Sequence, residues 1–165
     1  MSSETSKCRS SLAEYCVGDG LDLGYGGDAI NETAICVDRP RKYCNYLNDP
    51  QHLHGDATNL HWFKNGVFDY VFSSHLLEDF EDTETVLREW IRVVKPDGRI
   101  VLFLPDEQAY RKHCLKNNQI PNGMHKHEDF GLRYMRQIVK NIKKVRIEHQ
   151  KNLVHEYSFE LVLRK

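Results

Sequence analysis

Short apolar runs recur along the chain with polar stretches between them. They predict strands at residues 20–23, 34–37, 52–54, 70–73 and 99–104. The runs Ala34-Ile35-Cys36-Val37 and Ile100-Val101-Leu102-Phe103-Leu104 are continuous, not alternating. That pattern suits central strands of a parallel sheet covered on both faces. Between the fourth and fifth strands the period changes. Val86, Trp90 and Val93 form one stripe with Leu87, Ile91 and Val94 beside it, which predicts a helix. Asp82 or Thr83 caps its start, and Pro96-Asp97-Gly98 stops it. A second amphipathic helix is predicted over 129–142, with Leu132, Met135, Ile138, Val139 and Ile142 facing inward. Residues 145–147 and 157–163 read as two further strands joined by a polar connection. Strand and helix alternate, so the expected class is α/β, a doubly wound, mostly parallel sheet.

At 165 residues the chain suits one domain spanning 1–165. The polar segment 1–11 is expected to be a flexible tail. The net charge of −1 creates no global field to recruit nucleic acid or an acidic membrane. No apolar run approaches the roughly 18 residues of a membrane span, and the opening residues do not read as a signal peptide. Five cysteines without a Cys-x-x-Cys pair argue against a disulfide framework or thiolate metal site and fit a reducing, cytoplasmic setting. The pairs His52/His54 and His125/His127 each place two imidazoles on one side, but no acid or thiolate completes a ligand set, so no metal is expected.

Candidate chemistry concentrates at Gly20-Leu21-Asp22-Leu23-Gly24-Tyr25-Gly26-Gly27-Asp28. A strand ends in a glycine-rich turn where the backbone can take φ > 0 and approach a ligand closely. Gly24 to Ala29 formally satisfies the dinucleotide pattern G-x-G-x-x-G/A. A dinucleotide, however, needs a helix directly after the loop to hold its pyrophosphate, and an acid about 20 residues on. Here Asp38 follows Gly24 by only 14 residues, leaving space for about one helical turn. Asp22 would repel a pyrophosphate but attract an ammonium and a sulfonium. The two features favour S-adenosylmethionine. Asp38, at the end of the second strand, is placed to accept from both ribose hydroxyls. Arg39 beside it keeps an NADP-binding reductase open as the alternative ligand class.

Several ordered motifs then resemble the class I S-adenosylmethionine-dependent methyltransferases, in the group that includes the quinone methyltransferases. They are Leu21-Asp22-Leu23-Gly24-Tyr25-Gly26, Ile35-Cys36-Val37-Asp38, Gly55-Asp56-Ala57-Thr58 with Phe68-Asp69-Tyr70-Val71-Phe72-Ser73-Ser74-His75, and Leu87-Arg88-Glu89-Trp90 through Lys95-Pro96-Asp97-Gly98. The resemblance covers about residues 20–105. It implies a Rossmann-like sheet of seven strands with an antiparallel C-terminal strand. It implies S-adenosyl-L-methionine held by Asp22, Gly24, Tyr25, Gly26, Asp38, Arg39, Asp56, Ala57 and Ser74. Within that set Asp22 would face the ammonium group, Asp56 the adenine amino group and the Ala57 amide a ring nitrogen. His75, past the fourth strand, is the candidate catalytic base, with Asp106, His125 and His127 as further candidates. The expected reaction is in-line methyl transfer to a small-molecule or glycan acceptor. The nearly deleted first helix leaves a second reading, a binding or scaffold domain that keeps the fold without turnover. Departures from the group are Tyr25 where Cys is frequent, Asp28 where a further glycine is frequent, and Asp79 where His is frequent.

Overall fold

The computed structural model describes residues 3–40 and 53–165. Arg41, Lys42, Tyr43, Cys44, Tyr46 and His52 lie outside the described residues. Seven strands form one sheet in the order β3-β2-β1-β4-β5-β7-β6. They are β1 Gly20–Leu23, β2 Ile35–Asp38, β3 Leu53–His54, β4 Phe68–Ser74, β5 Val94–Pro105, β6 Arg146–Val154 and β7 Ser158–Arg164. β1 pairs in parallel with both β2 and β4, and β4 with β5. β7 runs antiparallel to β5 and to β6. The chain walks outward from β1 to β3, returns to β4 and walks the other way. The strand order therefore reverses at the β1/β4 junction, the place where open α/β sheets bind ligands beyond their carboxyl ends.

Side-chain alternation gives the sheet two buried faces. Leu21, Leu23, Val71, Ile100 and Leu102 pack with Trp90 of α2 (Thr83–Val93) and Met135 of α4 (Leu132–Asn141). Tyr70, Phe72, Val101 and Phe103 point to the opposite face, against Cys8 and Leu12 of α1 (Glu4–Leu12). Burying a side chain such as Trp90 or Phe103 stabilises by about 1.5–3 kcal/mol or more, so these layers hold the strands that carry the motifs. α2 starts as the sequence predicts, with the Asp82 carboxylate accepting from the Thr85 amide at 3.0 Å.

Three expectations need correction. Residues 1–11 are not a flexible tail throughout: Ser3 caps α1, and Cys8 and Leu12 are buried under the sheet. Within the polar stretch 106–130, residues 107–116, where no helix was predicted, build α3 (Glu107–Lys116), capped by Asp106 accepting from the Ala109 amide. The connection at 148–156 is mostly strand, because β6 is an edge whose outward positions tolerate polar residues. Pro96-Asp97-Gly98 does end α2, but it continues as an irregularity in β5, where register with β4 shifts between Phe68 and Tyr70. Between β1 and β2 no helix forms, in line with the short crossover.

Candidate functional site

β1 delivers the chain into the loop at Gly24, where φ is +70°, and Gly26, where φ is +61°. A Cβ on Gly24 would lie 2.7 Å from the Leu76 side chain, so glycine is required both by conformation and by contact. The Gly24 amide donates to the Val37 carbonyl at 2.8 Å, tying the loop to β2. The Asp38 carboxylate accepts from the Gly26 amide at 3.2 Å and from the Arg39 amide at 2.7 Å. It therefore sits against the glycine loop, as the spacing implied.

The loop after β3 brings up Asp56 and Ala57. One Asp56 oxygen accepts from the Thr58 amide and hydroxyl, and the other from the Arg39 guanidinium at 3.0 Å. Partial burial pushes the carboxyl up, but these donors and the Arg39 charge outweigh it and hold the group below the usual carboxylate range. The Trp90 indole donates to the Ala57 carbonyl at 2.7 Å, so the buried core of α2 anchors this segment.

Gly24, Gly26, Asp38, Arg39, Asp56 and Ala57 line one cavity of about 230 Å³. Its remaining wall is Val37, Gly55, Leu76, Phe80 and Met124. Larger hollows lie elsewhere, but this cavity is the one walled by the sequence motifs. Six of the nine residues expected around a cofactor thus converge. Leu76, Phe80 and Met124 were not foreseen. Apolar residues carry no chemical mark in a sequence.

Asp22, Tyr25 and Ser74 are not among the lining residues. Tyr25 is buried and borders a neighbouring hollow with Arg9 and Asp28. The Asp22 side chain is fully buried beneath the loop. One of its oxygens accepts from the Ile30 amide at 2.7 Å, folding the loop back onto β1. Its other oxygen has no hydrogen-bond partner among the described residues. Burial drives this carboxyl up to about 8, opposed by the Ile30 amide and reinforced by the charges of Asp28 and Asp38. Asp28 bonds Ser3 and Arg9 of α1, and Arg9 also donates to the Ala29 carbonyl. The acid standing in a glycine's frequent place thus tethers α1 to the loop.

His75 is also absent from the cavity wall. Its Nε2 lies 3.0 Å from the Ser158 hydroxyl, and its ring packs on Phe103 and Tyr157. Burial pushes the imidazole down to about 4 in spite of the nearby Glu4 carboxylate. Asp106 caps α3. His125 bonds buried Glu107 at 2.5 Å, and His127 bonds the Phe80 carbonyl and Thr83. Among the described residues no group of three or more His, Cys, Asp or Glu could hold a metal ion. No helix among them is long and apolar enough to cross a membrane.

A family described as "Methyltransferase domain" matches residues 16–102, which contain the loop, all three acids and α2. The chain is similar to a demethylmenaquinone methyltransferase of Streptomyces avermitilis, 50% identical over 48 residues. That stretch is 29% of this chain and only 20% of the relative's length. A solved protein of Pyrococcus horikoshii superposes with a TM-score of 0.73 at 20% identity, covering 96% of this chain and 88% of that one. A SAM-dependent methyltransferase of Archaeoglobus fulgidus gives a TM-score of 0.72 at 16% identity, covering 98% and 92%. At such identities the superpositions speak for the fold alone. The family match spans more than half of the sequence and includes every residue lining the cavity except Met124. The chain belongs to the methyltransferase-domain family, of the class I S-adenosylmethionine-dependent type.

Proposed function

We propose that the cavity between the glycine loop, β2 and the post-β3 segment holds S-adenosylmethionine, and that the chain transfers its methyl group to a polar acceptor. The observation that carries this reading is the convergence of Asp38 and Asp56 with Gly24 and Gly26 on one cavity. The donor set fits the group. Asp38 beside the loop can accept from ribose hydroxyls, and Asp56 from an adenine amino group. Val37, Ala57, Leu76, Phe80 and Met124 supply apolar walls for a base. The unpartnered oxygen of buried Asp22 suits a nearby positive charge. No helix follows the loop to hold a pyrophosphate, which disfavours NADP.

When bound, S-adenosylmethionine supplies a methyl group already activated by the sulfonium. The chain's own task is then to hold cofactor and acceptor in line and to keep water out, and orientation of that kind supplies much of the rate. A hydrophilic small molecule or a glycan is favoured as acceptor because the stretch 106–130 after β5 is mostly polar, whereas an apolar substrate would want a more enclosed apolar pocket.

Calorimetry with S-adenosylmethionine, S-adenosylhomocysteine and NADPH tests the cofactor reading. Saturable binding of the first two without the third is expected; the reverse preference contradicts it.

A further inference from the structure

His75 is the candidate base that follows the fourth strand in sequence, and it does not line the cavity. It follows β4 directly with φ +49°, a left-handed conformation uncommon for a non-glycine residue. The other non-glycine residues in that region sit at Asp97, after α3 and α4, at Leu153 near the end of β6, and in the β6–β7 turn. Strain of this kind persists only where the surroundings over-determine it. Here the determinants are visible. The His75 amide donates to the Phe103 carbonyl of β5 at 2.9 Å. Its Nε2 meets the fully buried Ser158 hydroxyl of β7 at 3.0 Å. Its ring lies 5.4 Å from the Phe103 ring.

The consequence falls on the next residue. Leu76 leaves the left-handed turn toward β1, where its Cδ2 would touch a Cβ on Gly24 at 2.7 Å, and it lines the cavity. Were residue 75 to relax to φ < 0, the chain would leave β4 in another direction, and Leu76 would withdraw from the glycine loop.

We propose that His75 is a positioning residue for the cofactor cavity, its left-handed backbone setting Leu76 over the glycine loop. This rests on the reading of that cavity as the adenosylmethionine site. The role demands tolerance of positive φ at position 75 more than it demands an imidazole base. Asn, like His and Asp, adopts that region several-fold more readily than most non-glycine residues, and Val strongly resists it.

The test is S-adenosylhomocysteine affinity by calorimetry, with thermal stability recorded for every variant. His75→Asn should bind within about threefold of wild type, and His75→Val should bind at least about tenfold more weakly. Leu76→Ala should show a loss like that of His75→Val, and the double variant should lose no more than Leu76→Ala alone, because the two act in series. If His75→Val fails to fold, His75→Ala takes its place, with weakened binding again expected. Equal affinity across the folded variants, with only stability lowered, overturns the proposal. So does a His75→Asn protein as weak as His75→Val, which would mean that the imidazole itself is required. Wild-type protein that fails to bind S-adenosylhomocysteine overturns the cofactor reading instead.

Discussion

Replacing Asp22 by Asn separates the needs of the fold from those of the site. Asp22 is fully buried with one oxygen unpartnered, and its carboxyl is raised from 3.8 to about 8. A raised acid pKa means that the folded state holds a proton which the unfolded chain releases. Folded protein therefore binds more protons throughout the window from about pH 4 to about pH 8, and stability falls as pH rises across it. The slope is about 1.4 kcal/mol per pH unit. At pH 7, roughly three units above the unfolded value, the group costs up to ~4 kcal/mol. Asn keeps the oxygen that accepts from Ile30 and removes the ionisation. In urea unfolding of the protein without cofactor, Asp22→Asn should match wild type near pH 4 and gain progressively up to pH 8, levelling off above. An advantage of ~2 kcal/mol would shift the melting temperature by roughly 4–8 °C. The same variant should bind S-adenosylhomocysteine about tenfold more weakly, the scale of one charged partner. Parallel stability–pH curves for the two proteins, or an Asn variant less stable at pH 8, would refute the reasoning.

Other outcomes follow from the same geometry. Binding of S-adenosylhomocysteine at pH 7 should release about one proton from Asp22, read by calorimetry in buffers of different ionisation enthalpy, and none from Asp22→Asn. Asp38→Ala should weaken cofactor binding by ~1–3 kcal/mol; unchanged affinity would take Asp38 out of the site. Gly24→Ala combines φ +70° with a 2.7 Å approach to Leu76, and equilibrium dialysis should find cofactor binding lost, whereas wild-type affinity would show that the loop is free to move.

Much of this was legible in the residues. The continuous runs at 34–37 and 100–104 announced buried parallel strands, and the α2 stripe with its Asp82 cap announced a helix, because each signal is local. Asp38 was legible because an acid at a strand end beside a glycine loop carries its own chemistry, whereas Asp56 came from the family resemblance; both line the cavity. α1 was not. Its buried side holds only Thr5, Cys8 and Leu12, and its docking depends on Asp28, which is far from it in sequence. α3 is polar and half exposed, so no stripe marks it. The apolar cavity wall was hidden for another reason: Leu76 and Phe80 look like core residues until the fold shows which cavity they border. His75 shows the limit of motif reading, since its position in the sequence suggested a base and its backbone angle and Ser158 contact became visible only in three dimensions.

A crystal structure with S-adenosylhomocysteine bound addresses the central claim most directly. The account predicts the nucleoside between Asp38 and Asp56, with the amino-acid end over Gly24 and Gly26 and Leu76 against the ligand. Density for the ligand at any other surface, or a cavity that stays empty with the Arg39–Asp56 ion pair intact at saturating ligand, would contradict it.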